Sequence, residues 1–215
     1  MAIYNQIQIA GREVTCDSLR VRKSTSDNNS ASTFTAIINN YAGSYATEFT
    51  LGDEVNIYAD IGSNLPTTKI FTGILENVNY QGKENREGLT LTGKDYTSRL
   101  LDRTIEPEVY NNLLAGSIVE DIMLKYTDDV SYSGVQPTTT TVPRVVFNQK
   151  PVYDGIANLA KLSNSIFYVD NDKDLHFEEK STVSSNLTFN NTNVLTSKFK
   201  EKRDTVYNEV WVYGD

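Results

Sequence analysis

The chain has 215 residues, 39% hydrophobic and 22% charged, ordinary globular values that with five prolines and twelve glycines exclude a fibrous or wholly disordered chain. Twenty basic against 28 acidic residues give a formal net charge of -8, which opposes a polyphosphate partner and argues against nucleic-acid binding. No window approaches the roughly 18 apolar residues that span a bilayer, and the opening MAIYNQIQIAGREV lacks the basic and apolar parts of a secretory leader, so no membrane partner and synthesis in a cytoplasm are expected.

Up to about residue 100 the pattern is strand after strand with period-two alternation. Phe34, Ala36 and Ile38 alternate in TFTAIIN, as do Val55, Ile57, Ala59 and Ile61 in EVNIYADI. Cys16, two residues after Val14, reads as a small buried hydrophobe in a strand, and a lone cysteine forms no internal disulfide. KIFTGILENVNY places Ile70, Ile74, Val78 and Tyr80 on one face and Phe71, Gly73 and Leu75 on the other, which predicts a strand covered on both sides. After the polar QGKENREG, Leu89 and Leu91 return in phase, and an antiparallel meander closing into a small barrel is the simplest arrangement.

Near residue 95 the period changes, and DYTSRLLD has helical character. Ser117 and Glu120 form an S-x-x-E capping box, followed by Val119, Ile122, Met123 and Tyr126 on one helical face. Residues 127 to 143, with four consecutive threonines at 138 to 141, are predicted to be a mobile loop dispensable for folding. A short strand, RVVF, precedes a second helix that starts near Pro151, buries Val152, Ile156, Leu159 and Ala160, and ends at Asn164. SIFYVDNDKDLHFEEK reads as a hairpin turning at Asn171 to Lys173. The end, TVYNEVWVYGD, sets Val206, Val210 and Val212 against Tyr207, Trp211 and Tyr213, a strand with two apolar faces that needs cover from the first sheet or a neighbouring subunit.

Catalytic machinery is hard to assemble from this inventory. The one histidine, His176, fits an ordinary exposed strand position, and there is no nucleophile elbow, P-loop or dinucleotide fingerprint. Glu106 with Glu108, and Asp128 with Asp129, are carboxylate pairs no better than background among 28 acids. Asp170, Asp172 and Asp174 open like a calcium loop, but Leu175 stands at its sixth position and Ser181 at its twelfth, so a solvated turn is favoured. Lys198, Lys200, Lys202 and Arg203 are interrupted by Glu201 and Asp204, and a solvated strand face accounts for them. No catalytic, cofactor-binding or metal-binding residue is assigned, and no cofactor.

The ordered pieces FTGILENVNY, LTLTGKDYTSRLLDRTIEP, GSIVEDIML and VYDGIANLAKLSNSIFYVDNDKDLHF resemble the baseplate hub family of contractile phage tails, which includes late-control-D-like proteins and the N-terminal region of type VI secretion spike proteins. The resemblance implies a mainly β, α+β fold: an antiparallel tube-type β-barrel over residues 1–103, an inserted α+β module with two helices and a hairpin over 104–193, and 194–215 returning to the first barrel or opening a second. It also implies a structural, non-enzymatic hub, a homotrimer at full length, that joins tail tube to spike in a virion tail or tail-like injection particle. VYNEVWVYGD looks like the opening of a second barrel, so the chain reads as an N-terminal part of a longer hub. The alternatives are a tail-associated domain degrading cell-wall glycan or peptide, and a carbohydrate-binding adhesion module suggested by thirteen tyrosines and the terminal aromatics.

Overall fold

The computed structural model describes residues 3–24, 31–40, 45, 48–61, 65–83 and 86–180. The first part carries seven strands, β1 (Ile3–Ile9), β2 (Arg12–Val14), β3 (Ser18–Arg22), β4 (Thr33–Asn39), β5 (Glu54–Ile61), β6 (Lys69–Lys83) and β7 (Arg86–Asp95). They form one antiparallel sheet in the order β2-β1-β5-β6-β7-β4-β3. Ala10 and Gly11 both adopt positive φ, the geometry a two-residue hairpin needs between Ile9 and Arg12. The predicted alternation is realised at Phe34, Ala36, Ile38, Val55, Ile57, Leu89 and Leu91, all fully buried, while Ala59 is only half-buried.

These residues join Ile7, Ile9, Val14, Phe71 and Leu75 in one cluster whose buried members all come from the sheet itself. A sheet that dries one face without a helix or second sheet against it must curl over its own side chains. Among the described residues no ladder joins β2 to β3, so closure of the expected barrel is not seen there. The seven described strands thus form an antiparallel, self-covering sheet.

The second part runs α1 (Thr97–Asp102), β8 (Thr104–Ile105), β9 (Glu108–Leu114), α2 (Ala115–Tyr126), β10 (Ser131–Val135), β11 (Thr141–Phe147), β12 (Lys150–Pro151), α3 (Val152–Leu162), β13 (Ser165–Val169) and β14 (Asp174–Glu179). β9 pairs with β11, β8 with β12, and β14 lies between β13 and a parallel β10. The two helical faces read from sequence, Val119, Ile122 and Met123 on α2 and Val152, Ile156, Leu159 and Ala160 on α3, are buried in a second cluster. Asn164 sits just past α3 at φ 50°, the left-handed stop that ends a helix.

Strand β6 serves both cores. Phe71 and Leu75 point into the sheet cluster, while Ile74, on the other face, belongs to the second cluster with Tyr96 and Leu100. The double cover predicted for this strand holds over Phe71 to Leu75 but not at Tyr80, which is exposed. A register shift between Leu75 and Asn77 explains why the simple alternation fails beyond it: the extra residue returns Val78 to the sheet core's side.

Two expectations for residues 115 to 143 are corrected. Helix α2 begins at Ala115, and neither its start nor Ser117 shows the capping box. Its first amides are met from the threonine run: Gly116 N–H donates to Thr138 Oγ1 at 3.1 Å and Ala115 N–H to the Thr140 carbonyl at 3.1 Å. The segment is thus not all loop, since Thr138 is buried and β10 and the start of β11 lie within it. Thr138→Val should therefore lower stability by about 1 kcal/mol, the usual cost of a lost N-terminal helix cap, in a denaturant melt. An unchanged midpoint would show that water replaces the hydroxyl at no cost.

Candidate functional site

The turn predicted at Asn171 to Lys173 is where the hairpin of β13 and β14 meets the curled sheet. Lys173 has a φ of 65°, and this left-handed kink aims its ammonium at Glu54, with which it forms an ion pair, 5.0 Å above the Tyr96 ring. The Tyr96 hydroxyl donates to the same carboxylate at 3.1 Å. Asn171 Nδ2–H donates to the Lys69 carbonyl at 2.9 Å and its Oδ1 accepts from Lys23 Nζ at 2.9 Å. The buried Thr72 hydroxyl lies 2.6 Å from the Asn171 carbonyl oxygen, and Lys69 pairs with Asp172 at 2.9 Å. Glu54, Lys69, Thr72 and Tyr96 gave no sign of this role in the sequence, because each is far from residue 171 along the chain.

The three aspartates of this turn do not converge. Asp170 accepts from the amides of Asp172 and Asp174 at 2.8 and 3.0 Å and lies 3.0 Å from His176 Nε2. Asp172 turns to Lys69, and Asp174 accepts from Ser131 Oγ, Ser133 N–H and Ser133 Oγ at 2.6, 2.8 and 2.8 Å. Each carboxylate is spent on a different element, as a structural staple and not a cation cage. Among the described residues no group of three His, Cys, Asp or Glu side chains is placed to hold a metal ion.

Burial pushes the carboxyls of Glu54, Asp170 and Asp174 upward, but their donors outweigh it and hold all three below the ordinary carboxylate range: Lys173 foremost for Glu54, the Asp174 amide for Asp170, and Ser131 for Asp174. A carboxylate whose folded pKa is depressed adds stability that is present above its unfolded value and lost as pH falls through the folded one. The thermal midpoint should thus hold from neutral pH to about 4 and fall below it, and Asp174→Asn should flatten that fall in a pH series of melting curves.

The other candidates separate in the same way. His176 is half-buried, stacked on Tyr168 with ring centroids 4.7 Å apart, so it is packed where an exposed strand residue was expected. Cys16 lies between β2 and β3, outside either strand and only partly buried against the sheet core, where burial raises its thiol pKa. Glu106 is exposed, whereas Glu108 enters a network the sequence did not indicate. Its carboxylate and that of Asp121 flank the Tyr110 hydroxyl, and Lys125 reaches both at 2.9 and 2.7 Å. Burial and the two carboxylates push the Tyr110 phenol far upward, so it stays a neutral donor and holds β9 to α2. Asp129 pairs with Arg99 at 3.5 Å, and Asp128 is exposed. The Lys198 to Arg203 cluster and the strand at 205–213 lie outside the described residues.

Among the described residues, strand edges are candidate interaction surface. β2 and β3 end the large sheet, β10 and β13 end the three-stranded one, and a cleft of about 640 Å³ is lined by β13 and helix α3 with Lys150 and Lys180.

No family model and no curated protein matches the sequence. Solved structures do match in fold. The tail protein from Neisseria meningitidis MC58 and the 43 kDa tail protein of prophage MuSo2 from Shewanella oneidensis each align with a TM-score of 0.63, at 13% and 14% identity. They cover 82% and 84% of this chain and 50% and 54% of theirs. The E. coli c3393 protein, a component of the type VI secretion system with structural similarity to the T4 bacteriophage tail proteins gp27 and gp5, aligns with a TM-score of 0.55 at 14% identity, over 80% of this chain and 48% of its own. The chain thus spans about half the length of the solved tail proteins it matches. A mainly antiparallel β architecture with a helix-bearing module stapled to a self-covering sheet is the fold this chain shares with phage-tail proteins.

Proposed function

We propose that this chain is a structural component of a phage-type tail or related injection machine, a hub that forms a ring between tail tube and spike and performs no covalent step. The observation that carries the reading is the fold likeness to phage-tail proteins over more than four-fifths of the chain. The geometry is compatible with it. Among the described residues the sheet ends at β2 and β3, and a head-to-tail ring of such units would pair both edges at once. The aspartates and glutamates of the turn and of the β9–α2 network are engaged with backbone amides, hydroxyls and lysines, which suits a rigid scaffold.

Immunogold labelling of intact particles encoding the chain is the direct test. Label confined to the end where tube meets spike, and particles without assembled tails when the gene is deleted, are expected. Label along the whole tube or on fibres, or normal tails without the gene, would overturn the hub assignment. Purified chain should leave peptidoglycan intact; turnover abolished by a single Asp or Glu substitution would favour the cell-wall-degrading alternative.

A further inference from the structure

The cleft beside β13 combines a strand that ends its sheet with positive charge that has no ion pair among the described residues. The edge follows from the ladder. Lys180 N–H donates to the Asn164 carbonyl and Asp170 N–H to the Asp174 carbonyl, each at 3.0 Å. In an antiparallel pair such residues alternate, so Ile166 and Tyr168 turn their backbone groups to β14 while Ser165, Phe167 and Val169 turn theirs away. Of the strand's own residues, the cleft is lined by Ser165 and Phe167, two of those whose backbone groups turn away from β14.

The charge comes from three other elements. Lys150 on β12, Lys161 in the last turn of α3 and Lys180 after β14 border the cleft, against Asp154 as its one acid. All three lysines are exposed, and none has an ion pair among the described residues, although Lys69, Lys94, Lys125 and Lys173 all do. On a chain of net charge -8 this is a local reversal of sign. Helix α3 also lines the cleft, through the small Ala157 and Ala160 among others.

We propose that this cleft is a docking site for an extended acidic segment of a partner protein, which adds to β13 as a further strand. Backbone pairing with Ser165, Phe167 and Val169 supplies the hold, as in other strand-addition complexes. The partner's inward side chains are apolar and rest against Ala157 and Phe167. Its carboxylates meet Lys150, Lys161 and Lys180, which choose an acidic partner and speed its approach. The cleft has this character whether or not the chain closes a ring.

The probe is a fluorescently labelled peptide of alternating valine and glutamate, titrated with the full chain by anisotropy. Saturable binding is expected, weakened about tenfold by Lys161→Glu with Lys180→Glu, and weakened also by salt in the unaltered chain. Circular dichroism checks that the double variant is folded, and the salt titration gives a second readout that needs no variant. N-methylation of one alternate set of peptide amides should abolish binding and methylation of the other set should not, a result only strand addition gives. The proposal is overturned by equal binding of a valine–lysine peptide, by indifference to both methylation patterns, or by no binding. Lysine-dependent self-association of the chain in sedimentation would also overturn it, by making a second copy the occupant.

Discussion

Gly93→Ala lowers the stability of the chain by about 3 kcal/mol or prevents folding, while Gly88→Ala on the same strand changes it by no more than about 0.5 kcal/mol. The difference lies in what a Cβ meets. At Gly93 it would fall inside van der Waals contact of the Ile74 carbonyl oxygen and 2.6 Å from Phe34 Cε1; at Gly88 nothing lies within 4 Å. The crowding has a local cause. Gly93 pairs with Leu75 where the register of β6 shifts, and the bulged backbone leans onto its neighbour. The carbonyl cannot retreat without breaking the ladder, so the strain falls on the pairing of β6 with β7. Urea midpoints of the two variants measure this directly. Equal midpoints would mean that the strands do not approach so closely.

Phe71→Ala should cost about 3–5 kcal/mol, the range for deleting a buried aromatic ring. Phe71 has no exposed surface; its ring packs edge-on to Phe34 at 5.5 Å, with the Lys23 ammonium 5.5 Å from its centroid. The larger consequence concerns cooperativity. Ile74, on the opposite face of β6, is buried with Leu100 and the helices, so one strand carries side chains of both cores. The turn at Asn171 to Lys173 adds a second tie between them. Loosening β6 through Phe71 should therefore lower amide protection in α2 together with that in β4, within a single transition. Hydrogen exchange decides the matter: α2 left fully protected in Phe71→Ala while β4 opens would show two independent folding units.

The features legible in the sequence were those in which burial on one face repeats at a fixed local period. Phe34, Ala36 and Ile38 mark a strand because neighbouring side chains point to opposite faces, and Val119, Ile122 and Met123 mark a helix because they return to one side. Asn164 could be read as a stop because a left-handed residue after a helix is a local requirement. The double burial of β6 near Phe71 and Ile74 was visible too, since apolar residues there occupy both parities.

The errors were all long-range. Ser117 and Glu120 have the spacing of a capping box, but Thr138 reaches the helix start from a distant segment and the helix begins earlier. The same contact turns a polar threonine run, outwardly a loop, into ordered structure, because a hydroxyl that satisfies a buried amide is worth more there than in water. Asp170, Asp172 and Asp174 are equivalent along the chain and separate in space only because Lys69, Ser131 and His176 stand in three directions around them. Closure of the expected barrel depends on long-range geometry as well. Alternation determined which residues of each strand turn inward, but whether β3 meets β2 depends on twist and register accumulated over seven strands, and those are set by packing and not by any local run of residues.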